Sequence, residues 1–102
     1  MGIFKFGNKT YTVDTEEFLS NFNEWDEDFA RGMAPKVGII SDLSEDHWKI
    51  IHFIHDTFKK TGKCPLVYET CEINGIELDE LEMLFPDGYH RGAIKIAGLR
   101  VG

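Results

Sequence analysis

The alternation of hydrophobic and polar positions is clearest between Leu43 and Gly62. Trp48, Ile51, Ile54 and Phe58 recur at steps of three and four, with Ile50 beside them, and so share one side of a helix. Glu45, Lys49, Asp56 and Lys60 fall opposite. Ser44 is placed to accept a hydrogen bond from the free amides of the first turn, and Glu45 and Asp46 suit the positive helix end. Gly62 supplies the stop, because glycine tolerates the left-handed conformation there. The pattern predicts a helix from Ser44 to Thr61. Burying its Trp, Phe and Ile side chains would contribute roughly 1.5–3 kcal/mol each before the entropy of ordering them. The rest of a small domain has to pack on this helix.

The flanking patterns are shorter. Ile3–Phe6 and Lys9–Val13 are rich in aromatic and β-branched residues, and Gly7-Asn8 between them fits a two-residue hairpin turn. Asp14 and Glu17 have capping-box spacing, which with Phe18, Leu19 and Phe22 predicts a helix from Thr15 to Phe22. Trp25, Phe29 and Met33 predict a second helix, opened at Asn23 or Glu24 and ended before Pro35. Pro35–Asp42 reads as a connector whose Ile39-Ile40 pair tucks under the main helix. Pro65 suits a first helical position, which puts Cys64 at the N-cap of a helix running to Glu72. Asn74-Gly75 marks a turn, and Leu78, Leu81, Met83, Leu84 and Phe85 suggest a helix ended by Pro86. Asp87 is placed to cap a last helix through Ala93, Ile94 and Ala97 to Gly98. The expected fold is mostly α (α+β): an N-terminal β-hairpin on a small helical domain with a helix-turn-helix-like core.

The chain of 102 residues suits one domain, 1–102, and its 42% hydrophobic content supports a core without disulfides. The net charge of −7 argues against non-specific nucleic-acid binding, which rests on neutralising phosphates. The charge is uneven: residues 1–87 sum to −10 and residues 88–102 to +3, through Arg91, Lys95 and Arg100. A basic helix end can complement its own dipole or serve as a docking face. No apolar run is long enough for a membrane span, and Met1-Gly2-Ile3-Phe4 lacks the features of a signal peptide. Two cysteines without an export signal point to a reduced, cytoplasmic protein.

Candidate chemistry is sparse. His52 and His55 are three apart, a spacing that can chelate a metal, but nothing fixes a third ligand. His47 falls within the apolar arc and reads as a buried, hydrogen-bonded histidine. Cys64 and Cys71 on one helix would lie about 10 Å apart along its axis, too far for a disulfide. A helix N-terminus would lower the Cys64 pKa. The helix-turn-helix-like pair offers Glu77, Asp79, Glu80 and Glu82 where a DNA reader wants cations or amides, so it reads as architectural. No phosphate-binding glycine loop and no Ser-His-Asp arrangement is recognisable, and no cofactor or metal is expected.

Several segments together carry a resemblance. They are Gly7-Asn8-Lys9, Val13-Asp14, Glu17-Phe18-Leu19-Ser20-Asn21, Trp25, Met33-Ala34 and Leu43-Ser44-Glu45-Asp46-His47-Trp48 with Ile50, Ile51 and Phe53. Near the end stand Leu84-Phe85-Pro86, Gly88 and Ile96-Ala97-Gly98-Leu99. On these residues the chain resembles the DsrC/TusE/DsvC family of sulfur-relay proteins, which includes dissimilatory sulfite reductase gamma subunits. The match is good from Met1 to about Pro65 and from Leu84 to Leu99, and divergent between. The resemblance implies a hairpin on a helical domain and a mobile C-terminal arm. It implies a cysteine near the arm's end that carries sulfur as a persulfide or trisulfide, and a second cysteine on the last helix. Here the last-helix position is Ile94, and after Leu99 the sequence reads Arg100-Val101-Gly102. Neither reactive thiol has a counterpart, while Arg91 and Lys95 match the basic positions of the last helix.

The resulting expectation is a non-catalytic binding or regulatory partner of sulfite-reductase or sulfur-relay enzymes. Contact residues would be His90, Arg91, Lys95, Arg100 and Phe53, the last because it falls outside the main apolar arc. The alternative is a sulfur carrier using Cys64, or Cys64 with Cys71, or a native arm missing from this sequence. The partner is a protein of sulfur metabolism, with neither DNA nor membrane.

Overall fold

The computed structural model describes residues 2–99. Strands β1 (Gly2–Phe6) and β2 (Lys9–Val13) pair antiparallel, with Phe4 opposite Tyr11 and Phe6 opposite Lys9. Gly7 turns the chain at φ 61°. Phe4, Tyr11 and Val13 share the buried face of the hairpin. The rings of Phe4 and Tyr11 meet Phe29 edge-on at 5.7 and 5.2 Å. Phe6 lies so close over Gly32 that a Cβ there would meet its ring at 2.7 Å.

The helix expected over Thr15–Phe22 does not form. Asp14 accepts hydrogen bonds from the amides of Glu16 (2.9 Å) and Phe18 (3.0 Å), and Glu17 adopts φ 68°. A short carboxylate can cap a helix or close a local turn on its own backbone. Here the turn wins because it returns Leu19 to pair with Val13 and buries Phe18 and Leu19. A 3-10 turn follows at Phe22–Glu24.

Helix α1 (Glu27–Met33) begins later than the 25/29/33 spacing suggests. Its cap is Asp26, which accepts from the Phe29 amide at 2.9 Å and from the Tyr11 hydroxyl at 2.6 Å, and Lys9 bridges Asp26 and Asp28. The hairpin is therefore fastened to the helix start. Trp25 stays extended, outside the helix. Past Met33 the chain continues as a 3-10 turn, Ala34–Val37, because Pro35 sits at its start, where no amide is required. Of the expected apolar pair only Ile39 tucks in; Ile40 is 96% exposed.

Helix α2 (Glu45–Thr61) matches expectation at both ends, with Ser44 as cap and Gly62 at φ 73°. It buries His47, Ile50, Ile51 and Ile54, while Trp48 and Phe58 are half-buried at its edges. His47 fulfils the expected role: Nδ1 accepts from the Ser44 amide (3.0 Å) and Nε2 donates to the Leu84 carbonyl (2.8 Å). Helices α3 (Val67–Asn74) and α4 (Leu78–Leu84) form the helix-turn-helix-like pair about Gly75, at φ 66°. Asp87 does not cap the last helix. Gly88, at φ 94°, opens a wide turn, Tyr89–Ala93, which leads into α5 (Ile94–Ile96). Phe29, Met33, Ile51, Ile54, Leu81, Phe85, Ile94 and Ile96 are fully buried and form the centre, with α2 as its spine.

Candidate functional site

The turn Tyr89–Ala93 and helix α5 present the expected basic residues. Tyr89 points inward: its hydroxyl donates to the Pro65 carbonyl (2.7 Å) and meets the Thr70 hydroxyl (2.8 Å), and burial pushes its pKa up to about 12. That anchor turns His90 and Arg91 outward, and both are exposed. Lys95, one turn on from Arg91, lies 4.9 Å over the Phe18 ring and donates to the Glu16 carbonyl at 2.8 Å. His90, Arg91 and Lys95 together line a shallow pocket of about 450 Å³ with Phe18, Glu16 and Asp87. Arg91 makes no ion pair among the described residues. The pocket combines an aromatic floor, fixed by the Asp14 turn, with a rim of cations and two acids. Phe18, Glu16 and Asp87 were not foreseen as site residues. Phe53 is half-buried on α2, packs against the core and does not line this pocket. Arg100 lies outside the described residues.

The cysteines differ from expectation. Cys64 is not an N-cap. The helix starts at Val67, because Leu66 is extended and its amide donates to the Glu69 carboxylate at 3.1 Å, a one-sided cap that moves the start past Pro65. Cys64 therefore sits in the preceding loop, exposed, with its thiol near the Pro65 carbonyl at 3.5 Å. Burial pushes its pKa up instead of the helix lowering it. Cys71 is buried, and burial together with Glu77 raises its pKa too.

His52 and His55 do not converge. His52 Nε2 pairs with Glu27 at 2.9 Å, whereas His55 Nδ1 donates to the Ala97 carbonyl at 3.1 Å. His55 is stacked between Trp25 (4.0 Å) and Phe22 (4.4 Å), and burial holds its pKa below the usual histidine value. Trp25 Nε1 donates to the Ile96 carbonyl at 2.8 Å. These rings thus clasp the free carbonyls at the end of α5. No group of three metal-ligating side chains occurs among the described residues.

A hairpin fastened to a helical body, a helix-turn-helix-like pair and a short last helix with a cationic rim define a small helical domain, and relatives of known structure share its fold. The crystal structure of dissimilatory sulfite reductase I aligns with a TM-score of 0.93 at 34% identity, covering 99% of this chain and 96% of that one. The oxidized gamma subunit of dissimilatory sulfite reductase from Archaeoglobus fulgidus aligns at 0.86 and 31%, covering 99% and 96%. In sequence, the gamma subunit of dissimilatory-type sulfite reductase from Nitratidesulfovibrio vulgaris is 39% identical over 92% of this chain and 89% of its own length. Sulfurtransferase TusE of Escherichia coli K12 is 31% identical over 92% and 91%. The family model described as "DsrC like protein" matches residues 5–101. The chain belongs to this DsrC-like family, which acts in sulfur relay. No helix among the described residues is long and apolar enough to cross a membrane.

Proposed function

We propose that this chain, as one domain over residues 1–102, is a cytoplasmic protein-binding component of a sulfite-reducing or sulfur-relay system. It docks its enzyme partner through the pocket of His90, Arg91 and Lys95. The observation that carries this reading is the meeting of an exposed Arg91, without an ion pair among the described residues, with an aromatic floor at one place on the surface. An arginine beside an aromatic surface is a frequent anchor in protein interfaces. Arg100 and, on α2, Phe53 belong to the same proposal as further contacts. Lys95 also holds the Glu16 carbonyl, so its removal disturbs the pocket itself. Arg91→Glu is the cleaner perturbation. In a titration against purified dissimilatory sulfite reductase it is expected to weaken binding by about tenfold or more with unchanged thermal stability. Unaltered affinity would remove Arg91 from the interface.

The relatives favour a second reading at least as strongly, since several are named sulfurtransferases. In that reading the chain carries sulfur itself, on Cys64 or on a cysteine of an arm not contained in this sequence. The Cys64 thiolate would attack the outer sulfur of a donor persulfide, form an S–S bond and release the donor thiolate. Cys64 is the exposed thiol, but nothing beside it lowers its pKa. An intact mass spectrum after incubation with a low-molecular-weight persulfide separates the readings. A gain of one sulfur that disappears in Cys64→Ser establishes Cys64 as the carrier, and no gain removes Cys64 from that role, leaving the docking component or a carrier cysteine outside this sequence.

A further inference from the structure

The helix-turn-helix-like pair carries a second surface of opposite sign. Between Pro65 and Phe85 stand six acids and no Lys, Arg or His, so this fifth of the chain holds −6 of the net −7. The same pair leaves large apolar side chains uncovered: Leu66, Tyr68 and Ile73 are 66–73% exposed, and Met83 is 81% exposed. Of these side chains Met83 lines a groove of about 300 Å³ where α4 meets the start of α2. The groove is lined by Ile76, Met83 and Leu84 with the His47 ring at its base and Asp46 and Glu80 at its rim. His47 is fully engaged by Ser44 and Leu84 and offers no free polar atom, so the floor is apolar. Lys49, on the next turn of α2, reaches the Asn74 carbonyl at 3.0 Å.

We propose that this groove docks a basic amphipathic segment of a partner protein, an apolar side chain entering against Met83 while neighbouring Lys or Arg side chains meet Asp46 and Glu80. The occupant follows from charge complementarity: an acidic rim repels acidic segments and DNA alike, while an apolar floor rewards a side chain that leaves water. Methionine suits such a surface because its flexible thioether adapts to the chain it meets. The inference stands apart from the docking face at Arg91 and from the question of which thiol carries sulfur.

The probe is a helical peptide with leucine at i, i+3, i+4 and i+7 and lysine elsewhere, added to protein carrying ¹³C-methyl methionine. The Met83 methyl resonance is expected to shift in a saturable manner, while that of Met33, fully buried, stays in place. Met83→Ser, at an exposed position, should keep the fold and weaken binding about tenfold, as expected for loss of one apolar contact. Glu80→Lys should weaken it further and flatten its salt dependence. Equal binding of a peptide with serine in place of leucine would reduce the effect to bulk charge and overturn the proposal. So would a shift of Met83 on concentrating the protein alone with formation of a dimer, which would assign the groove to a second copy. An unmoved Met83 at saturation would overturn it as well.

Discussion

Gly98 and Gly62 form a matched pair that separates backbone strain from steric exclusion. Both adopt positive φ, 85° and 73°, where an L-side chain costs about 1–2 kcal/mol. A Cβ at Gly62 would meet nothing within 4 Å, whereas one at Gly98 would lie 2.5 Å from Trp25 Cδ1 and 2.9 Å from Cγ. Trp25 cannot simply swing away, because its indole donates to the Ile96 carbonyl and stacks on His55. Gly62→Ala is therefore expected to lose about 1–2 kcal/mol, and Gly98→Ala a further 1–3 kcal/mol or so, typical of overpacking. Urea unfolding followed by tryptophan fluorescence gives both values, provided that the m-value is unchanged. In a Trp25→Ala background, which removes the ring but keeps a Cβ 3.0 Å away, most of the extra cost at Gly98 should be relieved, which a double-mutant cycle reads directly. Equal losses for the two alanine variants, or an excess at Gly98 that is undiminished on removal of the Trp25 ring, would refute the argument that Trp25 clasps the end of α5.

Other expectations follow from the same geometry. His55 is buried with its pKa lowered, so the unfolded chain takes up its proton more readily than the folded one. Its contribution is complete above the unfolded value of about 6.5 and is lost as pH falls below it. Melting temperature should therefore drop through this window and drop less in His55→Gln. Asp26 acts in a lower window: burial pushes its pKa up, but hydrogen bonds from Tyr11, the Phe29 amide and Lys9 outweigh this and hold it below 3.8. Its contribution is lost only as pH falls through that region. Tyr89→Phe removes the hydroxyl that joins Pro65 and Thr70, and should cost about 1–3 kcal/mol by chemical unfolding because the buried partners lose their bonds. Cys64 should react with iodoacetamide as an ordinary thiol, with a pH midpoint no lower than that of a free cysteine, and Cys71 should react only on unfolding.

The sequence by itself determined the parts whose causes are local. Ser44, the apolar stripe and Gly62 lie within one helix, so periodicity and caps were enough to place it, and the same holds for the Gly7 hairpin and the Gly75 turn. His47 was readable as a buried histidine from its place on the stripe, though its Leu84 partner was not. Where one side chain had two local uses, the distant chain decided. Asp14 could open a helix or close a turn, and the pairing of Leu19 with Val13 chose the turn. Pro65 marked a helix start, but Glu69 reached back to Leu66 and moved it, leaving Cys64 outside the helix field. The candidate site is the clearest case. Arg91 and Lys95 stood out as charges in a basic end, yet the pocket they line needs Phe18 and Glu16, and the Lys95–Glu16 contact spans 79 positions of the chain. Periodicity reports which residues share a face. Only packing reports which faces meet, because burial of apolar area is non-directional and the partner is chosen by the whole core.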